Sequence, residues 1–314
     1  MTLKLFQSYK ETLYLQGFGR THPVWETLGV KGHIGIDFNF GDKDPIYAFA
    51  DGEVIYADHE QGTLVLMDDE YEYSYAHLDS ISVKAGDKIK AGQEIGKQGN
   101  KGLTVVSDQL SHLHFGLRKI KKENVYQGLR WNFSYYSPIK YRVLEPENGF
   151  EGHIDPAPFF QNLIPVVAKA IEKKENYKKY HAEKNNPGMI KGLDGSFLKF
   201  PSYEEGFNYL CDYLERACSG KHKAYKPDFT VLKFFEIYAP SYDRNDPYQY
   251  AKDVVGWCGL GGISDPISDW LLNEIQWLEK YNSIDVGMMW TDYSIWGQIK
   301  KQINWLWSIL FKNR

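Results

Sequence analysis

The chain has 314 residues, 43% of them hydrophobic, enough to fill the cores of two domains. Its 37 Lys and Arg against 41 Asp and Glu leave a net charge of −4, which excludes a general nucleic-acid binder, since such proteins carry a basic excess. Three cysteines with no Cys-x-x-Cys spacing exclude a disulfide framework and a cysteine zinc site. Cys211 and Cys218 fall two turns apart on one expected helix, roughly 10 Å by helical rise and too far to bridge.

Met1 to Gln16 holds no apolar run and carries Lys4, Lys10 and Glu11, so it does not read as a signal peptide. No stretch reaches the roughly eighteen apolar residues of a membrane span. The expectation is a chain made without a signal peptide. Residues 1–30 predict short strands and turns punctuated by Gly17, Gly19 and Gly29. Residues 46–118 then read as strand after strand. Ile46 to Ala50 runs to a hairpin signal at Asp51-Gly52, and Val54 to Ala57 and Leu64 to Leu66 follow. In Tyr71 to His77 the alternation puts Tyr71, Tyr73, Tyr75 and His77 on one face. Nothing here has a helical period, so residues 1–158 are expected to form an antiparallel all-β domain. Residues 119–152 lack periodicity and predict a long loop or insertion. Asp155-Pro156-Ala157-Pro158 marks the boundary.

From Phe159 the period changes. Leu163, Val166, Val167, Ala170 and Ile171 recur at helical spacing. Tyr203 to Ala217 predicts a second helix, with Phe207, Leu210, Cys211 and Leu214 inward. Val231 to Tyr238 and Pro247 to Val255 predict two more, and residues 159–262 are expected to form an all-α domain. In the Trp-rich tail, 263–314, Trp270, Leu271, Glu274, Ile275 and Leu278 fit one helix. Trp296, Ile299, Ile303, Trp307 and Leu310 fit another. Packing onto a domain or a second copy is the expected role. A helix lying on a membrane surface is the sharper alternative, given Lys300, Lys301 and Lys312 beside the tryptophans.

The chemistry concentrates in Gly32-His33-Ile34-Gly35-Ile36-Asp37-Phe38 and Ser111-His112-Leu113-His114-Phe115. On strands, His33 and Asp37, four apart, share a face, as do His112 and His114, two apart. Two imidazoles and a carboxylate converging from two strands suit a zinc ion with an open fourth position. The spacing does not choose between His112 and His114 as ligand. The unused member of that pair, with His77, is available to move protons and steady an oxyanion. His22, His59, His153, His181 and His222 are expected to be inert.

Together with Tyr75-Ala76-His77-Leu78, these motifs resemble the lysostaphin-type zinc endopeptidases, which cut the peptide part of bacterial peptidoglycan. Pro45-Ile46-Tyr47-Ala48 and Val83-Lys84-Ala85-Gly86-Asp87-Lys88-Ile89 are similar to that family's β-core. The resemblance covers roughly residues 15–160. It implies that His33, Asp37 and His114 bind Zn²⁺ and that His77 and His112 are the catalytic pair. Two departures bear on substrate preference: Gly116 stands where a Glu often follows His-Leu-His-Phe, and the insertion at 119–152 is long. Val83 to Gly96 also resembles the hairpins of biotinyl and lipoyl carriers, but no lysine sits at a hairpin tip between hydrophobic residues.

Asn185-Asn186-Pro187-Gly188, Phe197 to Gly206, Tyr238-Ala239-Pro240 and Asn245-Asp246-Pro247 resemble a helical lysozyme-like module of phage and bacterial wall-active proteins. That resemblance implies binding of glycan strands, and cleavage as a glycosidase or lytic transglycosylase if a general acid is present. Glu175, ending a helix before the Asn-Asn-Pro-Gly turn, is the candidate acid and Glu172 the alternative. The expectation is a phage-encoded or bacterial peptidoglycan hydrolase acting at the cell wall. A wall-binding or virion structural protein with an inactive peptidase-like domain is the competing class.

Overall fold

The computed structural model describes residues 1–9, 11–103, 111–123, 140–175, 182–192 and 194–283. These fall into two compact units. The first takes its described residues from Met1–Gln7 and Glu11–Phe159, with Asn282 and Ser283; the second holds Ser8, Tyr9 and the described part of Phe160–Tyr281.

The first unit is an antiparallel β domain, as expected. Its strands are β1 (Leu13–Gln16), β2 (Ile36–Asn39), β3 (Pro45–Tyr47), β4 (Gly52–Asp58), β5 (Thr63–Met67), β6 (Tyr71–Ala76), β7 (Leu78–Ile81), β8 (Lys88–Ile89), β9 (Glu94–Gln98), β10 (Leu113–Lys122) and β11 (Tyr141–Val143). One sheet runs β1-β2-β10-β6-β5-β4-β8 with β11 beside β10, and a second runs β3-β9-β7. The Asp51-Gly52 signal does not make a hairpin, because β3 pairs with β9 whereas β4 pairs with β5 and β8. The buried Ala48, Phe49 and Ala50 carry the chain from one sheet to the other.

Register sorts the two faces of the main sheet. Tyr75 lies opposite Phe115 and Tyr73 opposite Leu117, and all four are fully buried, with Phe49 packed on Tyr75 and Phe115. The other face carries Ala76 opposite His114, Ser74 opposite Gly116 and Glu72 opposite Arg118. Residues 119–152 are not simply a loop. β10 runs on to Lys122 and β11 pairs with it, Ile120 opposite Val143. Ile120, Tyr141 and Val143 bury against Ile55, Val65 and Met67, while Arg118, Lys119, Lys121 and Lys122 obscure the alternation in the sequence. Residues 23–27 also depart from the expected strands and turns: they form a short helix, α1 (Pro23–Thr27), opened by proline at a position that needs no backbone donor.

The second unit contains α2 (Ile164–Lys174), α3 (Tyr203–Cys218), α4 (Val231–Tyr238), α5 (Pro247–Cys258) and α6 (Glu274–Tyr281). Side chains cap three of them: Ser202 accepts from the Glu205 amide, Thr230 from Lys233 and Asp246 from Gln249. On α3 the inward stripe is Gly206, Leu210, Leu214, Ala217 and Cys218; Phe207 and Cys211 are only half-buried, contrary to expectation. A Cβ on Gly206 would collide with the Asn185 carbonyl, so the stripe begins where the Asn-Asn-Pro-Gly turn presses on the helix. Asn186, fully buried, donates to the carbonyls of Ile190 at 2.8 Å and Leu198 at 3.0 Å, so this motif braces the fold. The first tail pattern breaks into a 3₁₀ turn at Ile267–Leu271 and α6, with Trp270, Ile275 and Leu278 buried. The second tail pattern, Trp296 to Leu310, lies outside the described residues. No helix of the described residues is long and apolar enough to cross a membrane.

Candidate metal centre

Asp37 and His114 are direct cross-strand partners on β2 and β10, so the register alone brings them together. His33 is not on a strand as expected. It lies in the loop before β2, where its amide donates to the Arg20 carbonyl at 3.0 Å and its carbonyl accepts from Gly19 at 2.8 Å. Its Nδ1–H donates to the Gly17 carbonyl at 3.0 Å, which fixes the tautomer and leaves Nε2 as a lone pair.

That lone pair faces His114 Nδ1 at 2.9 Å and Asp37 Oδ1 at 3.1 Å; His114 Nδ1 and Asp37 Oδ1 are 3.0 Å apart. His33 is 1% exposed and Asp37 7%. Tetrahedral zinc with ligands at about 2.0–2.1 Å would hold them about 3.3 Å apart, so the triangle has the size a zinc ion needs. With His33 neutral the protons do not close it: His114 Nδ1–H can serve one edge, and the His33 lone pair is left facing a carboxylate. A cation between the three atoms removes that repulsion, and the residues present therefore fit one. Burial pushes the Asp37 carboxyl up, but the charge that His33 and His112 carry when protonated, and the hydrogen bond from His114, pull it well below the usual carboxylate range. Among the described residues, this is the group of His, Cys, Asp and Glu that could hold a metal.

His77 reaches the same place by a different route. Strict alternation would put it on the Tyr75 face, in the core. Instead its φ of 67° is left-handed, an uncommon conformation for a histidine, and its ring lies 4.7 Å from that of His112 and 6.2 Å from that of His114. Its Nδ1–H donates to the Lys101 carbonyl at 2.8 Å, leaving Nε2 unprotonated. Burial, then His112 and His114, lower its pKa from 6.5 to about 3. His112 bridges Gly99 just before β10, and its Nε2 is 4.0 Å from Asp37 Oδ2. The fully buried Gln98 ties this corner together, donating to Asn39 at 3.0 Å and Ser111 at 3.2 Å and accepting from the Phe40 amide.

Some residues that shape the centre escaped the sequence reading. A Cβ on Gly35 would meet the Phe115 carbonyl and lie 2.8 Å from the His114 ring, so only glycine lets β10 close on the loop; a glycine between His33 and Asp37 was the available signal. The Trp25 ring of α1 packs against that of His33, tilted by 35° with the centroids 5.2 Å apart. His153, expected to be inert and surface-borne, is 4% exposed. Its Nδ1–H donates to the Phe150 carbonyl at 2.9 Å, and a Cβ at 116 would lie 2.5 Å from the Ser74 hydroxyl and 3.1 Å from the His153 ring, a crowding that glycine avoids. His181 lies outside the described residues.

In the second unit Glu175 caps the C-terminus of α2, half-buried, and accepts a hydrogen bond from the Tyr250 hydroxyl at 2.7 Å. Burial raises its pKa, opposed by Tyr250 and Lys174. Glu172 is committed elsewhere, to Lys169 and the Tyr203 hydroxyl, each at 2.9 Å.

Buried imidazoles and a carboxylate on an antiparallel sheet, with two further histidines alongside, form the kind of centre found in metal-dependent hydrolases. Residues 31–127 match Peptidase family M23, and this part of the chain is similar to M23 peptidase domains of the lysostaphin type. Peptidases of this family are zinc-dependent. The glycyl-glycine endopeptidase ALE-1 of Staphylococcus capitis is 35% identical over 111 residues, 32% of this chain and 28% of that protein. The peptidoglycan DD-endopeptidase ShyA of Vibrio cholerae is 36% identical over 102 residues, 31% of this chain and 22% of the relative. The murein hydrolase activator NlpD of Escherichia coli is 35% identical over 102 residues, 30% of this chain and 26% of the relative. The chain thus spans 22–28% of the length of these relatives.

Proposed function

We propose that the chain is a peptidoglycan hydrolase whose first unit is a zinc-dependent endopeptidase cutting stem or cross-bridge peptides. The observation that carries this is the triangle of His33 Nε2, Asp37 Oδ1 and His114 Nδ1, with sides of 2.9–3.1 Å and no internal proton to satisfy all three. Zn²⁺ held by His33, Asp37 and His114 would supply Lewis acidity towards water and the peptide carbonyl. The Gly17 carbonyl orients His33, and the β2–β10 register orients Asp37 and His114. His77 and His112 are the catalytic pair. With its Nδ1–H tied to Lys101, His77 offers Nε2 as a proton acceptor and, once protonated, as a donor to developing negative charge or to the leaving amine. His112 takes the complementary part, across a ring separation of 4.7 Å.

The names of the relatives support a wall substrate and divide over its bond: one is a glycyl-glycine endopeptidase and another a DD-endopeptidase. The second unit, on this reading, binds glycan strands, with Glu175 as the acid for glycan cleavage. The chain would act at the bacterial cell wall, as a phage-encoded or bacterial lytic protein. Digestion of purified peptidoglycan with fragment masses tests all of this. New amino termini are expected; intact peptides after full digestion of a zinc-loaded sample would overturn the peptidase.

A second reading, a non-catalytic activator, is favoured by the similarity to NlpD. The two separate on one measurement. An activator gives no new amino termini alone but raises the rate of a partner hydrolase, and His112→Ala leaves that effect intact.

A further inference from the structure

We infer that Trp25 is a positioning residue for the metal centre, holding His33 through a tilted ring–ring contact that strengthens when the imidazole carries part of a bound cation's charge. The inference rests on the zinc-peptidase reading and adds a residue to it.

Three constraints define the plane of the His33 ring. Nδ1–H is tied to Gly17. The His114 ring meets it edge-on, at 4.8 Å and 68°. Trp25 covers it at 5.2 Å between centroids, with the planes tilted by 35°. The indole is itself held. The Trp25 amide donates to the His22 carbonyl at 2.9 Å, and its carbonyl accepts from Leu28 at 3.1 Å and Val30 at 3.0 Å. α1 is therefore a short bracket that delivers one aromatic face.

The choice of residue is informative. Trp25 Nε1 is buried and, among the described residues, has no acceptor. A buried donor without a partner is a cost that phenylalanine in the same place would not incur. Filling space therefore does not account for an indole. A π face against a positively charged ring does, because indole is the strongest of the aromatic partners for a cation. The charge the indole would face is the share of a bound cation's charge carried by the His33 imidazole. Groups behind a metal ligand that fix its orientation typically change metal affinity about 10–100-fold when removed.

The test is zinc affinity by competition with a chelating dye, measured on the full chain for wild type, Trp25→Phe and Trp25→Leu, beside the melting temperature of each metal-free protein. The expected order of affinity is wild type, then Phe, then Leu, with Leu about 10–100-fold weaker than wild type. Metal-free stability should not follow that order, since Phe relieves the orphaned donor and should melt at or above wild type. Leu binding zinc as tightly as wild type overturns the role, as does affinity that merely tracks melting temperature. If the Leu variant does not fold, the Phe variant decides: weaker zinc binding at equal or higher stability supports the role, and unchanged binding ends it. A wild-type chain that takes up no zinc removes the metal reading itself, and this role with it.

Discussion

The two candidate sites differ in how much the protein alone explains them. Around Asp37 the groups are mutually costly: a lone pair faces a carboxylate, a histidine takes a left-handed backbone, and a glycine is needed so that strands can close. That arrangement fits a cation held between the three groups. Around Glu175 the protein is nearly self-consistent. A half-buried carboxyl accepts from Tyr250 and ends a helix, which a purely structural glutamate would also do. Burial raises its pKa, but one raised carboxyl does not imply a substrate. A cluster whose groups fit an ion is the stronger signal.

The largest effect that would break this contrast is at Asp37. Asp37→Ala should abolish release of new amino termini from peptidoglycan and lose bound zinc by elemental analysis. A variant that still clears walls would mean that the triangle is structural after all. Next comes His112→Ala, expected to keep the metal and lose about 10²–10⁴-fold in peptide cleavage, the usual worth of a positioned proton-transfer group. Loss of zinc in that variant would instead make His112 a ligand. Gly35→Ala should be smaller, destabilising by about 1–3 kcal/mol through overpacking against Phe115 and His114, with weakened zinc binding. Denaturant unfolding with and without zinc separates the two parts.

The pH dependence sharpens the same comparison. His77 has a folded pKa of about 3 against 6.5 for the free side chain. The unfolded chain therefore binds more protons between those values, and stability rises with pH across that window. Asp37, depressed in the folded state, acts in the same direction: its contribution is present above its unfolded pKa and lost as acid protonates it. Metal-free protein should thus be less stable at pH ~4 than at pH ~7, with the difference reduced in His77→Phe. An equal loss in that variant would remove His77 from the account.

Much of the first unit was legible because strand alternation and short motifs are local. His112, His114 and Asp37 came together as their spacing implied. His33 and His77 were placed near the site for reasons the spacing did not contain. One sits in a loop clamped by Gly19 and Arg20, and the other escapes the core face only through its left-handed backbone. A single dihedral reverses the face of a residue, and no pattern of hydrophobicity reports it. The Asp51-Gly52 turn was misread for a related reason, because turn chemistry does not say which sheet the next strand will join. Asn186 read as part of a family motif, whereas its three hydrogen bonds in the interior show a brace.

The smallest expected effect is at Glu175, and it bears most directly on the weaker half of the comparison. In a His114→Ala background, where peptide cleavage should be absent, any new reducing ends or anhydro sugars must come from the second unit. Glu175→Gln keeps the shape and an acceptor for Tyr250 but has no acidic proton to give, so it should remove that residual glycan cleavage while leaving the unfolding free energy within about 1 kcal/mol of its parent. Glycan cleavage that survives the change would exclude Glu175 as the acid. The tie of Glu172 to Lys169 and Tyr203 makes it a poor replacement, because those two partners already hold its carboxylate. If the parent shows no glycan cleavage at all but still sediments with walls, the carboxyl is a packing group and the helical unit grips rather than cuts. The self-consistency of the Glu175 surroundings would then have been the correct guide.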